Sequence, residues 1–419
     1  MNVFKFGGAS VNSAESIRNM SNIVRSHLDK PLVVVISAMG KTTNLLERLV
    51  PGVTADATER KALFDKSLHY HLDIAEALFG DAGHPTLAAV RALYANLERD
   101  CQAAPVSYNA DYDRVVSYGE LISTTLIAGY LQHIGVDCQW VDVRQVIRTD
   151  HTHREGRVDF ETTTNQAKQV IGNLLKTHRV VVTQGFIAGA DDGSSTTLGR
   201  EGSDYSASIL SYCLDADSMT VWKNVVGFLN ADPRFFADTV KINKIPYNEA
   251  IELAYYGASV IHPKTVKPLQ NKGIILEIKS FLDPDVEGSL IGPYIGIDPL
   301  TPLYIFKDEQ VLISVLPRDF SFIAEDNLQA VFAILAELNV RVNMMQNSAI
   351  SFSFCIDRNE VLLRQLQDRL SESFYLRYSD GLQLITIRYY NQDIIDRIVS
   401  GRTVLMQQYL RTTTQLLVE

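Results

Sequence analysis

The chain has 419 residues, 46% hydrophobic and 21% charged, which suits two or three domains with their own cores and excludes disordered, fibrous and membrane-embedded compositions. Thirty-nine Lys and Arg against 49 Asp and Glu give a net charge of -10. That balance excludes generic attraction to nucleic acid or anionic lipid, so no nucleic-acid or membrane partner is expected and a phosphate ligand needs a local basic site.

Cys101, Cys138, Cys213 and Cys355 are scattered, with no C-x-x-C pair and no histidine cluster beside them, so neither zinc nor a disulfide framework is indicated. The N-terminus MNVFKFGGAS has no basic region followed by an apolar stretch, and the run LVVVI at 32–36 is too short to span a bilayer. A cytoplasmic location is the expectation.

In chain order, VFKF predicts a strand, followed by a helix from about Ser13 to Leu28 and a strand from Pro31. Asn12 with Glu15 reads as a capping box, and Ile17, Met20, Val24 and Leu28 form one apolar stripe. Residues 55–103 and 119–134 read as helical, 138–143 as a strand and 162–176 as a helix. RVVVTQGF, a Gly/Ser/Thr loop and a helix from Ser203 follow. Uninterrupted β-branched runs with helices between them suit a mainly parallel sheet covered on both faces, so the first 290 or so residues read as one α/β domain.

Between 283 and 302, Pro284, Gly288, Gly292, Pro293, Gly296, Pro299 and Pro302 suggest a linker. Beyond it the pattern predicts strand 310–316, helix 326–338, strands 340–346 and 350–357, helix 359–370 and strand 374–378. That order is β-α-β-β-α-β, a ferredoxin-like unit. LQLITIR, helix 391–399, TVLMQQYL and TTTQLLV make most of a second unit, complete if 301–309 supplies a strand.

Two glycine-rich segments carry chemistry. KFGGAS, Lys5 to Ser10, lies between a strand and a helix, where adjacent glycines let backbone N–H groups approach an anion and Lys5 adds a mobile positive charge. Alone it could equally be a tight turn with a surface lysine. TTLGREGSDYSA, from Thr196 to Ala207, also lies between a strand and a helix and sets Arg200 four residues before Asp204. An arginine fork suits a carboxylate or phosphate, although an ordinary loop with Ser203 or Asp204 as cap is also possible. Two such turns on one sheet suggest a ligand pair at the strand ends.

KFGGAS, SAMGKTTNLL, SYGELIS, TTLGREGSD, GFLNADPR and GASVIHPKTVKP occur in the order found in aspartate kinases of the amino acid kinase family, which the chain resembles over nearly its whole length. The resemblance implies a three-layer αβα sandwich with a mainly parallel sheet over residues 1–295. It also implies tandem ACT units over 300–419, the first about 310–379 and the second 301–309 with 380–419. It implies transfer of the γ-phosphoryl of ATP, with Mg2+, to the side-chain carboxylate of L-aspartate. That carboxylate has a pKa near ~4 and needs no general base, so the lack of a Ser/His/Asp or Cys/His constellation fits.

By the same resemblance, Lys5 and Asp204 are the catalytic pair, and Gly7, Gly8 and Ser10 contact the nucleotide phosphates. Glu120 would hold the substrate ammonium and Arg200 its α-carboxylate, with Ser37, Thr43 and Ser203 completing the pocket. On residues alone, Glu120 could instead be a solvated first-turn carboxylate and Thr43 a helix cap.

The nucleotide side departs from the family pattern. Lys223 and Asn224 stand for Thr-Asp, Leu229 for Tyr and Ser259 for Lys, while Asp232 and Arg234 match. Lys223 could compensate for the charge missing at 259. Ala9 replaces a threonine, and Glu201 replaces a glycine where a carboxylate should repel phosphate unless it turns away or pairs with a cation. No residue is assigned to a metal.

ACT units imply a homodimer and an amino-acid effector, lysine or threonine, with Asn347 and Ser348 at the matching strand end. A plain polar turn there is an equal alternative. Two other functions are a non-catalytic amino-acid sensor that keeps the fold, and a kinase of the same family acting on another acceptor.

Overall fold

The computed structural model describes residues 1–236, 238–258, 260–294, 301–319 and 321–419. Over these residues the chain forms two compact units, the larger from 1–228, 241–251 and 260–294, the smaller from 229–240, 252–258 and 301–419.

The larger unit is built on eight strands, in the order Cys138–Val141, Val180–Gln184, Leu32–Ile36, Asn2–Phe6, Ser218–Lys223, Ile275–Ser280, Ser289–Gly292 and Lys244–Pro246. The first six are mutually parallel; Ser289–Gly292 runs antiparallel to its neighbour Ile275–Ser280. Every residue of Leu32–Ile36 is buried, as a strand with helices on both faces requires. On one face Phe4, Phe6, Val34, Ile36 and Trp222 meet apolar positions of Ala14–Arg25 and of the long helices between 57 and 133. Strand alternation sends Val3 and Lys5 to the opposite face, which carries Gly202–Cys213. These are the three expected layers.

Several local expectations need correction. The first helix is capped by Ser13, not Asn12: Ser13 is extended and its hydroxyl accepts from the Ser16 N–H at 3.1 Å, while the Asn12 side chain takes the Ser16 hydroxyl. The helix expected at 119–134 begins eleven residues earlier, running Tyr108–His133 with Ser107 as cap. The proposed linker contains Ser289–Gly292, a strand of the sheet, next to Gly288, where any Cβ would collide with the Ile278 carbonyl. Residues 295–300 of that segment lie outside the described residues.

The smaller unit carries a six-stranded antiparallel sheet, in the order Met344–Asn347, Phe352–Asp357, Leu303–Pro317, Phe374–Arg388, Thr413–Val418 and Val404–Tyr409. Two strands expected to be short are 15 residues each, Leu303–Pro317 and Phe374–Arg388, and pair along most of their length. Register shifts between Lys307 and Leu312 divide that ladder into halves. On one half, Glu325–Glu337 and Glu360–Leu370 cover Val311, Ile313, Val315 and Phe354. On the other, Leu303–Lys307 pairs with Leu384–Arg388, and Gln392–Val399 packs Ile394 and Ile395 on Ile385, Ile387 and Leu416.

Candidate active site

The sheet register aligns Phe6 with Ile36 and Trp222, and Ile36 with Gln184, so four parallel strands end at one level. Gly7, Ser37, Gly185 and the Lys223 terminus therefore share one edge, where open α/β sheets hold ligands. Backbone bonds stitch it together: Ser37 N–H donates to Phe6 O at 3.2 Å, Gly40 N–H to Gly8 O at 3.0 Å and Gly185 N–H to Ile36 O at 2.9 Å.

Lys5 is only 8% exposed, and its ammonium lies 2.6 Å from Asp204 Oδ1. Asp204 sits in the first turn of Gly202–Cys213, where the helix dipole favours negative charge. Its other oxygen is 3.4 Å from Lys223 Nζ, which also donates to the Val260 carbonyl. Burial pushes the Asp204 carboxyl up, but the two ammonium groups outweigh it and hold it below its ordinary value. Asp204 is thus a buried anion shared by two lysines rather than a surface cap.

Glu120 lies deep inside the long helix, 2% exposed, which removes the first-turn alternative. Its Oε1 accepts from the Ala38 N–H at 3.2 Å, and its Oε2 is buried without a hydrogen-bond partner. Burial pushes its carboxyl up to about 8, with backbone N–H donors, Ala38 first, pulling the other way. A carboxyl in this condition lacks a cation, and an incoming ammonium would supply one.

Lys5, Gly8, Ser37, Thr43, Glu120, Arg200, Ser203, Asp204 and Lys223 line one cavity of about 550 Å³. Thr43 belongs to the helix Thr42–Glu47 rather than capping it. Gly7 and Ser10 are not among the lining residues; Ser10 is buried and its N–H donates to Gly7 O at 2.9 Å, and Asn224 follows Lys223 in an exposed position. Leu229, Asp232 and Arg234 belong to the smaller unit, where the Arg234 guanidinium is 2.6 Å from Asp232 Oδ2. Ser259 lies outside the described residues. Asn347 ends its strand opposite Phe352, and Ser348 N–H donates to Ser351 O at 2.8 Å; both are exposed.

The sequence pattern missed Tyr112, Arg154, Phe186 and Thr197, which line the same cavity. Glu201 also faces it, in a left-handed conformation with φ 53°, and its Oε2 is buried without a hydrogen-bond partner. Burial raises its pKa, with Lys223 the strongest opposing charge. It therefore does not point away from the site. Lys223 is the cation that tempers it.

The glycine turn is sterically demanding at one position. A Cβ on Gly8 would meet Ala38 O at 2.6 Å and Gly40 O at 2.9 Å, both backbone atoms, whereas one on Gly7 would come no closer than 3.5 Å to Lys5 Nζ. Gly8→Ala is expected to cost about 1–3 kcal/mol in denaturant unfolding, more than Gly7→Ala. Equal loss for both would contradict this account of the turn.

The two glycine-rich turns do not leave one sheet as expected: KFGGAS follows Asn2–Phe6 of the eight-stranded sheet, whereas TTLGREGSD leaves Ser195–Thr197, paired antiparallel with Ile187–Gly189 in a separate two-stranded sheet. Together with a lysine pair on a buried aspartate and a buried glutamate that has one unpartnered oxygen, they define an α/β phosphotransferase-type site. The amino acid kinase family model matches residues 1–280, and the chain belongs to that family, in its aspartokinase branch. It is 31% identical over 400 residues to lysine-sensitive aspartokinase 3 of Escherichia coli (strain K12), covering 92% of this chain and 86% of that one. Its fold matches the crystal structure of E. coli aspartokinase III in complex with lysine and aspartate (T-state) with a TM-score of 0.85 at 29% identity, over 100% of this chain and 96% of that one. The same enzyme in complex with aspartate and ADP (R-state) gives 0.83 at 28% identity and the same coverage.

Proposed function

We propose that the chain is an aspartate kinase that moves the γ-phosphoryl group of ATP to the side-chain carboxylate of L-aspartate, giving 4-phospho-L-aspartate, the entry to lysine, threonine and methionine synthesis. The observation that carries this is the buried Glu120, whose Oε2 has no hydrogen-bond partner, in one cavity with Arg200 and the Lys5–Asp204–Lys223 cluster. Glu120 takes the acceptor's ammonium, Arg200 its α-carboxylate, and Ser37, Thr43 and Ser203 close the pocket. The side-chain carboxylate then faces Lys5. Its oxygen forms the new bond to the γ phosphorus as the bond to the bridging oxygen breaks and leaves with ADP; no proton moves.

Catalysis therefore reduces to positioning and to neutralising the transferring group, which Lys5 and Lys223 do while Asp204 fixes both ammonium groups. Mg2+ carried by the nucleotide would add charge neutralisation at the phosphates; of the carboxylates lining the cavity, Asp204 is already paired with lysines and Glu201 would be the one left to meet it. Gly7, Gly8, Ser10 and Asn224 are proposed nucleotide contacts.

In this account residues 1–295 form the catalytic domain and 300–419 a tandem ACT regulatory region, with first unit about 310–379 and second 301–309 with 380–419. The ACT units pair into a homodimer, and lysine or threonine binds near Asn347 and Ser348. Among the described residues no helix is long and apolar enough to cross a membrane, and a cytoplasmic location is proposed. Turnover measured with L-aspartate should fall when lysine or threonine is added, and Asn347→Ala should blunt that response. Activity indifferent to both amino acids, alone and together, would make the tail purely structural.

The sensor alternative draws on Glu201 and Lys223, which alter the phosphate end. ADP release measured with L-aspartate, L-glutamate and UMP in parallel, alongside calorimetric ATP binding, separates the cases. Release driven by L-aspartate alone is expected. Amino-acid binding without ATP turnover would support the sensor, and release with another acceptor would reassign the substrate.

A further inference from the structure

Four cations line the cavity, but they are not equivalent. Lys5 and Lys223 share Asp204, whereas no carboxylate among the described residues pairs with the guanidinium of Arg154 or of Arg200. Arg154 instead lies over the Tyr112 ring, 4.3 Å from its centroid, with Tyr108 at 5.4 Å. A guanidinium held over an aromatic ring, with no carboxylate taking its forks, still has N–H donors to offer a ligand.

Arg154 is also held in an unfavourable backbone conformation, φ 67°, which a non-glycine residue keeps only when its surroundings enforce it. The enforcing group is Asp113, fully buried on the long helix. Its carboxylate accepts from the Arg154 N–H at 2.9 Å, from His153 Nδ1 at 3.0 Å and from the Thr197 hydroxyl at 2.7 Å. Thr197 leads into the Gly199–Arg200 turn, and its carbonyl accepts from the Gly156 N–H at 2.8 Å. One buried carboxylate thus pins both arginine-bearing loops. Asp113 and Glu120 are seven residues apart on one helix, hence on one face and about 10 Å apart.

We infer that Arg154 is a specificity-determining residue of the acceptor site, joining Arg200 on the α-carboxylate of the bound amino acid. The inference rests on the proposed function above. Two forks on one carboxylate leave an α-amide with the wrong charge and an N–H2 facing donors, so the pocket should reject L-aspartate α-amide.

The test measures kcat, KM for each substrate, and calorimetric binding of L-aspartate for the full chain, Arg154→Gln and Arg154→Lys. Arg154→Gln is expected to raise KM for L-aspartate about tenfold or more, with kcat and KM for ATP within about twofold. Its preference for L-aspartate over the α-amide should fall about tenfold, and Arg154→Lys should restore part of the affinity but not the discrimination. A general structural role would shift kcat and both KM values together. Unchanged L-aspartate binding and unchanged discrimination in Arg154→Gln would overturn the inference while leaving the proposed function intact. A wild-type protein that neither binds nor phosphorylates L-aspartate would overturn both.

Discussion

Lys5→Ala is expected to lower kcat by about two to three orders of magnitude, the usual cost of removing a group aimed at charge that develops in the transition state. KM for L-aspartate should change little, because Glu120 and Arg200 remain. The fold should persist, since Asp204 keeps Lys223 at 3.4 Å as a partner. Asp204→Ala is the more disruptive change. It leaves two lysines side by side without their shared anion, and breaking such a buried cluster typically costs about 3–5 kcal/mol. Stopped assays of ATP consumption, paired with thermal melts, separate the two effects. An inert Lys5→Ala beside an Asp204→Ala enzyme of normal turnover would contradict the pairing.

Glu120→Gln is expected to raise KM for L-aspartate about a hundredfold, because the ammonium loses the buried counter-charge of the Glu120 carboxylate. The same substitution should stabilise the ligand-free protein at alkaline pH. The Glu120 carboxyl ordinarily titrates near 4.5 and is pushed up to about 8 in the fold by burial. Its neutral form is therefore the one the fold favours. The contribution is fully present below the unfolded pKa, and it is lost as pH rises through about 8. Melting temperatures of Glu120→Gln and wild type should diverge across that window, with the variant higher. Substrate binding has the opposite dependence: the ammonium needs ionised Glu120, so wild-type affinity for L-aspartate should weaken as pH falls below about 8. That slope should vanish in Glu120→Gln. A pH-independent affinity in the wild type would remove Glu120 from the ammonium site.

Much of the catalytic end was legible because the chemistry is local. KFGGAS and TTLGREGSD each precede a helix, but only the first follows a strand of the parallel sheet; Asp204 reaches Lys5 because the helix Gly202–Cys213 packs on the face of Asn2–Phe6. The Tyr108 start of the long helix was hidden because Asp111 and Asp113 face inward and break the apolar stripe. Their burial becomes intelligible only with their partners: Asp111 accepts from Arg114 at 2.6 Å, and Asp113 from Thr197 and the 153–154 loop. Arg154 and Tyr112 were invisible for the same reason, lying in no recognisable motif and meeting the site only through the fold. The two 15-residue strands were cut short because Glu309 and Gly381, both at positive φ, interrupt the alternation where the ladder shifts register. Glu201 was legible as an anomaly, but its nearness to Lys223 was not.

The central claim is that this cavity transfers phosphoryl to the side-chain carboxylate of L-aspartate. An acyl phosphate is trapped by hydroxylamine as a hydroxamate, so the most direct measurement is hydroxamate formed from ATP, Mg2+ and L-aspartate, compared between wild type and Lys5→Ala. Hydroxamate is expected in step with ADP for the wild type and almost none for the variant. Hydroxamate formed equally by both proteins, or ADP released by the wild type without hydroxamate, would contradict it.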